Sequence, residues 1–568
     1  MATTTHCPDR PLMKLLMLLC LCFAPAMASA ATPQFNYLLH CGGCHIEDGS
    51  GMGDIVPDLN EDLGYFASFT EGRSYLVRVP GASHSPLSDG DLTEVMNWML
   101  RTFAAADEPE LYSEAEVTAN RRIRMNDVHA VRKQLLELKD NPDAGMSPAP
   151  QTTAAPQAFV GPQQPADQEA PEQLASLSVA TSATPPPTLT PEQQLAFGEA
   201  LFFDTSLSRF GNQACASCHD PGRAFADQRS MTVGSGASIG SDGSSTGHRN
   251  APSLTYVAAT PAFTLNDTTQ TSPPAQNRSR VAATAKAADT IRGGFFWDGR
   301  EPTLENQVLT PFVNAREMGL QDLSELVERV AGSERYQPYL GDVTGDAVSP
   351  AHMSGLIAKS LATYLRSDTF NSYDSRYDRF VRGEITATAQ EMAGMGLFFS
   401  PGFTNCATCH QSSTAAYATN ELFSNHRYEN IGTPINQDLL TLNGMGTDFR
   451  DPGLAANPAL AAGFDPSDIN ARFKVPSLRN VAVTAPYMHN GVFSELDTVL
   501  RFYNHYNETG ASGQINPETG QPWTEANNPD GVATDKLRVG FPLSERQLAA
   551  LSAFLRMLTD QRYEHLLP

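Results

Sequence analysis

Apolar positions recur at helical spacing in two N-terminal stretches. In LSDGDLTEVMNWMLRTF, residues 87–103, Leu92, Val95, Met96 and Met99 fall on one face, which predicts an amphipathic helix. Val128, Val131, Leu135 and Leu138 repeat in the same way and predict a second helix over 126–139. The apolar run Leu15–Phe23 is far shorter than the ~20 residues that span a bilayer, and no later segment is long enough. Arg10 and Lys14 precede that run and Ala28-Ser29-Ala30 follows it. This is the layout of a secretory signal, so residues 1–30 read as a signal peptide, with export to the periplasm and a mature start at Ala31.

From Ser147 to Leu189 the pattern disappears into Pro, Ala, Thr, Gln and Ser. Such a stretch cannot bury enough apolar surface to order itself, so 147–188 reads as a flexible linker. It separates residues 31–105, with a helical extension at 106–146, from a body that repeats itself. GEALFFDTSLSRFGNQACASCH (198–219) parallels GMGLFFSPGFTNCATCH (394–410), APSLTYVAATPAF (251–263) parallels VPSLRNVAVTAPY (475–487), and FWDGREPTLE (296–305) parallels MHNGVFSELD (488–497). The body therefore divides into two related halves, 189–384 and 385–568.

Of nine cysteines, Cys7, Cys20 and Cys22 lie in the signal. The other six form three Cys-x-x-Cys-His units: Cys41-Cys44-His45, Cys215-Cys218-His219 and Cys406-Cys409-His410. Disulfides in an exported chain would join distant segments, and a zinc ribbon would want two pairs close together. In Cys-x-x-Cys-His one helical turn presents both thiols to a haem and the next residue reaches the iron as proximal ligand. Three covalent c-type haems are expected, with zinc or dithiol chemistry as the alternative. The fold expected is mainly α, with three cytochrome c-like domains of which the last two are the duplicated core. A chain of 568 residues has room for roughly three to four domains of ~150 residues. Its net charge of −24 argues against a nucleic-acid partner and suits a basic or dipolar one, although solubility alone accounts for it equally well.

On LFFDTSLSRFGNQACASCH, HRNAPSL, FFWDGREPTLENQVLTPFVNAREMG and PSLRNVAVTAPYMHNG, residues 189–568 resemble the bacterial diheme cytochrome c peroxidase family, which includes MauG. The added N-terminal unit resembles the triheme branch of that family. The resemblance implies that the haem at His219 is peroxidatic, with Gln307 positioning peroxide and Glu317 moving its proton. Outside the motif Glu317 would read as a surface carboxylate at a helix end. Trp297 matches the indole that the family places between its two haems, a place a core tryptophan would also fill. The family's calcium ligands match Asn250, Thr484 and Pro486; carbonyl oxygens suit Ca²⁺.

Two positions depart from the family's peroxidases. Sixteen residues past His219, where they carry a histidine that closes the resting iron, stands Ser235, so this iron is expected to be open at rest; His248, beyond a Gly/Ser loop, is the alternative ligand. Fourteen residues past His489, where they carry a methionine, stands Tyr503, as in MauG-like members. Tyr503 is the expected sixth ligand of the haem at His410, with Met488 or a core role for the tyrosine as alternatives. For the first haem His84 is the expected sixth ligand, against Met52, Met96 and Met99, the last two reading as helix core.

The function expected is a peroxidase-type oxidoreductase that reduces hydrogen peroxide with electrons from a small cytochrome c or cupredoxin. A MauG-like enzyme that uses high-valent haem iron to oxidise residues of a partner protein is the alternative. A non-catalytic multihaem electron carrier is the third reading, against which Glu317, Gln307 and the missing sixth ligand count.

Overall fold

Each half of the body is organised around a helix crossing that only glycine permits. Thr190 and Gln193 form a capping box that starts helix Pro191–Phe202, which packs against helix Pro350–Leu365. At their crossing a Cβ on Gly198 would stand 2.0 Å from the Ser360 carbonyl oxygen. In the second half Thr388 and Glu391 cap helix Ala389–Phe399, which packs against helix Glu545–Met557. There a Cβ on Gly394 would stand 1.9 Å from the Ala550 carbonyl oxygen. These are the two glycines of the repeated Gly-x-x-Leu-Phe-Phe, and Leu201, Phe202, Leu397 and Phe398 behind them are buried in the two cores.

The computed structural model describes residues 32–140 and 189–568, apart from 46–47, 52–56, 84, 86, 105–108, 124, 126–127, 228, 233–235, 268–286, 341–348, 401–403, 414–416, 461–463, 509 and 539–540. The predicted signal and linker, and His84, Met52 and Ser235, lie outside these residues. Among the described residues the chain is mainly helical, and its β structure includes two short antiparallel pairs, Tyr428–Glu429 with Phe473–Lys474 and Ile515–Asn516 with Gln521–Pro522. No helix among them is long and apolar enough to cross a membrane.

The first predicted helix is Asp89–Phe103, started by the Ser88 side chain, and the second is Val128–Asp140. Leu92, Val95 and Met96 are buried against Tyr37, Leu63 and Val77, with Met99 packed at the edge of that core, so both methionines serve as helix core. Tyr112 and Val117 from the extension complete it, and Leu135 packs on Phe66 and Tyr75. Buried Arg73 ties extension to core: it donates to both Glu116 carboxylate oxygens at 2.7 and 2.8 Å and lies over the Tyr112 ring.

The duplication extends to backbone detail. Tyr256 and Asn480, both in the left-handed region, open the paired short turns Val257–Ala259 and Val481–Val483. Both side chains meet Asp560: Tyr256 Oη donates at 2.5 Å and Asn480 Nδ2 at 2.8 Å. The halves are further joined by Arg249, which donates to Asp298 at 2.6 Å and to both oxygens of Asp451 at 2.7 Å. Burial alone would push Asp451 up, but Arg249 and the Gly453 N–H hold its carboxyl down at about 2.

Candidate active site

Cys215–Cys218 forms a single helical turn, and the following His219 places Nδ1 3.1 Å from the Phe225 carbonyl oxygen. That bond leaves Nε2 as the nitrogen for a metal, the orientation that outer partners impose on histidine ligands. The second half repeats it: Cys406–Cys409 is one turn, and His410 Nδ1 lies 3.0 Å from the Phe423 carbonyl oxygen. Phe225 and Phe423 both have positive φ, 57° and 54°, which turns each carbonyl back toward its histidine. In the N-terminal unit His45 Nδ1 lies 3.2 Å from the Pro57 carbonyl oxygen, and Cys41 packs at the edge of the core. Burial lowers all three histidines, His45 and His410 to about 4, so each is a neutral imidazole able to donate a lone pair.

Cys215, Cys218 and His219 line a cavity of about 640 Å³, whose other walls include Trp297, Arg300, Gln307 and Glu317. Free thiols one turn apart, an oriented imidazole and an adjoining large cavity fit a covalently bound haem. Glu317 is partly accessible from this cavity, and Asn314 Nδ2 donates to its Oε1 at 2.7 Å. Burial pushes its carboxyl above the usual glutamate range, against the opposing pull of Arg300 and the Asn314 bond. Gln307 ends the short helix Leu304–Gln307 capped by Thr303 and lines the same cavity. Trp297 is clasped from both halves: its indole Nε1 donates to the Asn250 carbonyl at 2.8 Å, and its own carbonyl accepts from the Lys474 N–H at 2.8 Å.

Asn250 and Pro486 converge, with the Asn250 amide 2.6 Å from the Pro486 carbonyl oxygen, and Thr484 lines the same cavity. His248 also lines the cavity, with Nε2 3.7 Å from Asp451 and its ring edge-on to Phe449. Tyr503 projects from helix Leu496–Asn504; burial and the neighbouring Cys409 and Cys406 thiols push its phenol well above its ordinary range. Met488 lines the cavity that His219 lines, not a separate space beside His410. Asn314, Arg300 and Lys474 were given no role in the sequence reading. Arg300 and Asn314 lie inside FFWDGREPTLENQVLTPFVNAREMG, and Arg300 also in the repeated FWDGREPTLE, which are the signals that could have pointed to them. Burial lowers the Lys474 ammonium to about 8.

A model of the di-haem cytochrome c peroxidase family matches residues 192–386. The chain is 40% identical over 374 residues to methylamine utilization protein MauG of Paracoccus denitrificans, covering 66% of this chain and 90% of that protein. It is 26% identical over 318 residues to cytochrome c peroxidase Ccp of Escherichia coli, covering 56% of this chain and 54% of that one. Among solved structures, the diheme peroxidase BthA of Burkholderia thailandensis superposes with a TM-score of 0.55 at 30% identity, covering 67% of this chain and 89% of that chain. With its paired haem-binding motifs, duplicated helical halves and these relatives, the chain belongs to the di-haem cytochrome c peroxidase and MauG family of haem oxidoreductases.

Proposed function

We propose that this chain is a periplasmic triheme peroxidase that reduces hydrogen peroxide to water with electrons from a small cytochrome c or cupredoxin. The observation that carries the reading is the Glu317 carboxyl, raised by burial, in the wall of the cavity that also holds Cys215, Cys218 and His219. A haem held there by the two thiols and His219 Nε2 supplies the iron at which peroxide is reduced. Glu317, as carboxylate, takes the proton from the near peroxide oxygen and returns it to the departing one. Burial raises its pKa, which favours the protonated form, and Asn314 holds the carboxylate in one orientation. Gln307 contributes a hydrogen bond that positions peroxide. The overall change is one peroxide, two electrons and two protons to two waters.

The same local geometry at His45, His219 and His410 supports one haem at each motif, in domains 31–105, 189–384 and 385–568. Electrons would enter at the first, pass to the haem at His410, and reach the His219 site by way of Trp297. Asn250, Thr484 and Pro486 would hold Ca²⁺ between the halves and Tyr503 would be the sixth ligand at His410. The placement of Tyr503 beside Cys406 and Cys409, with the 40% identity to MauG, favours a second reading. In it, the oxidising equivalents held by the core are spent by drawing electrons from an aromatic side chain of a partner protein.

One equivalent of peroxide added to the fully oxidised protein separates the two. If a reduced small cytochrome or cupredoxin restores the starting spectrum, the peroxidase reading stands. If the oxidised state persists with such donors and only a specific protein quenches it, the second reading replaces the first.

A further inference from the structure

The N-terminal unit is seated on the second half. Helices Pro33–His40 and Gly42–His45 pack on helix Ala389–Phe399, and Met392 from that helix joins the N-terminal core. Where they meet, aromatic rings run without a gap. His40, next in sequence to Cys41, lies edge-on to Tyr417 with ring centres 6.1 Å apart. Tyr417 lies 4.9 Å from Phe399, and Phe399 lies 6.4 Å from Phe423. Phe423 is the residue whose carbonyl oxygen meets His410 Nδ1 at 3.0 Å. The chain of rings therefore begins at His40, beside the first Cys-x-x-Cys-His motif, and ends at Phe423, whose backbone carbonyl meets the His410 imidazole.

We propose that helix Ala389–Phe399 is the docking surface for the N-terminal unit and that Tyr417 is the positioning residue through which electrons cross from the first motif to the His410 half. The proposal rests on the reading that the first motif carries a haem that receives electrons. One electron moves per crossing, the N-terminal unit being oxidised and the His410 half reduced, and no bond forms or breaks. Burial raises the Tyr417 phenol, so the ring stays protonated and serves as packed matter between donor and acceptor. Its left-handed backbone, with φ of 60°, points to a residue held by its surroundings rather than by its own preference.

The test uses the intact holoprotein, a flash-activated ruthenium–bipyridyl photoreductant and transient absorbance that follows electron equilibration between the first and third haems. Tyr417→Leu is expected to slow equilibration about tenfold or more, within the range that small misplacements exact from positioned reactions. Tyr417→Phe should keep the parent rate, and neither change should move the midpoint potentials. Met392→Glu should slow the same step and increase hydrogen exchange in residues 389–399, a readout independent of turnover. A parent rate in both Tyr417→Leu and Met392→Glu would overturn the proposal, as would a Phe variant no faster than Leu. Peroxide turnover fed by a small-molecule reductant that reduces the third haem directly should be unchanged in Tyr417→Leu. Its absence in the parent protein would count against the peroxidase reading instead.

Discussion

Asn314 Nδ2 donates to Glu317 Oε1 across 2.7 Å, three residues apart in sequence and in the wall of the cavity that His219 lines. The bond stabilises the carboxylate while burial disfavours it, and burial wins. Glu317→Gln should therefore slow peroxide cleavage by roughly 10²-fold or more while small ligands still bind, measured by rapid mixing. Turnover should fall as pH drops through a value above the ordinary glutamate range. Removing the Asn314 bond with Asn314→Leu raises the Glu317 pKa further, so the acid limb should move to higher pH.

The Arg249 clamp on Asp298 and Asp451 should contribute to holding the two halves together. Asp451→Ala leaves a buried guanidinium short of a partner, a change that costs about 3–5 kcal/mol at comparable sites. Because the folded Asp451 carboxyl is held down at about 2, its contribution is fully present above the unfolded carboxylate range of about 4. It is lost as pH falls toward about 2. Denaturant midpoints of the parent and variant, compared at pH 7 and in acid, should converge as pH falls.

Tyr503→Phe should alter the spectrum of the haem at His410 and leave that at His219 alone. Tyr503→Met should raise the His410 haem potential, because a thioether favours ferrous iron. Spectroelectrochemical titration of the two variants reads both effects.

Gly198→Ala would drive a methyl group into the Ser360 carbonyl, and Gly394→Ala would do the same at Ala550. Each should destabilise its own half by about 1–3 kcal/mol or more. Calorimetry should show a lowered melting temperature with the haem-binding motifs unaltered.

What could be read from the sequence was local or repeated. The helix at Asp89–Phe103, the three Cys-x-x-Cys-His turns and the duplication are written in spacings of a few residues, and the repeat contains Gly198 and Gly394, the two glycines of the helix crossings. The carbonyls that orient the histidines could not be read: they are backbone groups of Pro57, Phe225 and Phe423 at separations of 12, 6 and 13 residues, and a backbone acceptor at a varying distance leaves no motif. Arg249 finds Asp451 at a separation of 202 residues, and one polar residue among many carries no mark of such a partner. His248 stood in the sequence as a possible iron ligand; its place beside Asp451 depends on the same long-range packing. The seating of the N-terminal unit on helix Ala389–Phe399 is likewise a meeting of surfaces whose own periodicities describe only separate cores.

Peroxide cleavage is expected in the cavity beside His219 and at neither of the other two Cys-x-x-Cys-His motifs. Replacing Cys215 and Cys218 together with alanine removes the tether of that haem and leaves the motifs at His45 and His410 intact. Peroxide consumption, followed with a reductant that reduces the remaining haems, is the direct measurement. Consumption is expected to be abolished while haems at His45 and His410 are still reduced. Consumption at the parent rate in a protein shown by mass to have lost that haem would contradict this expectation.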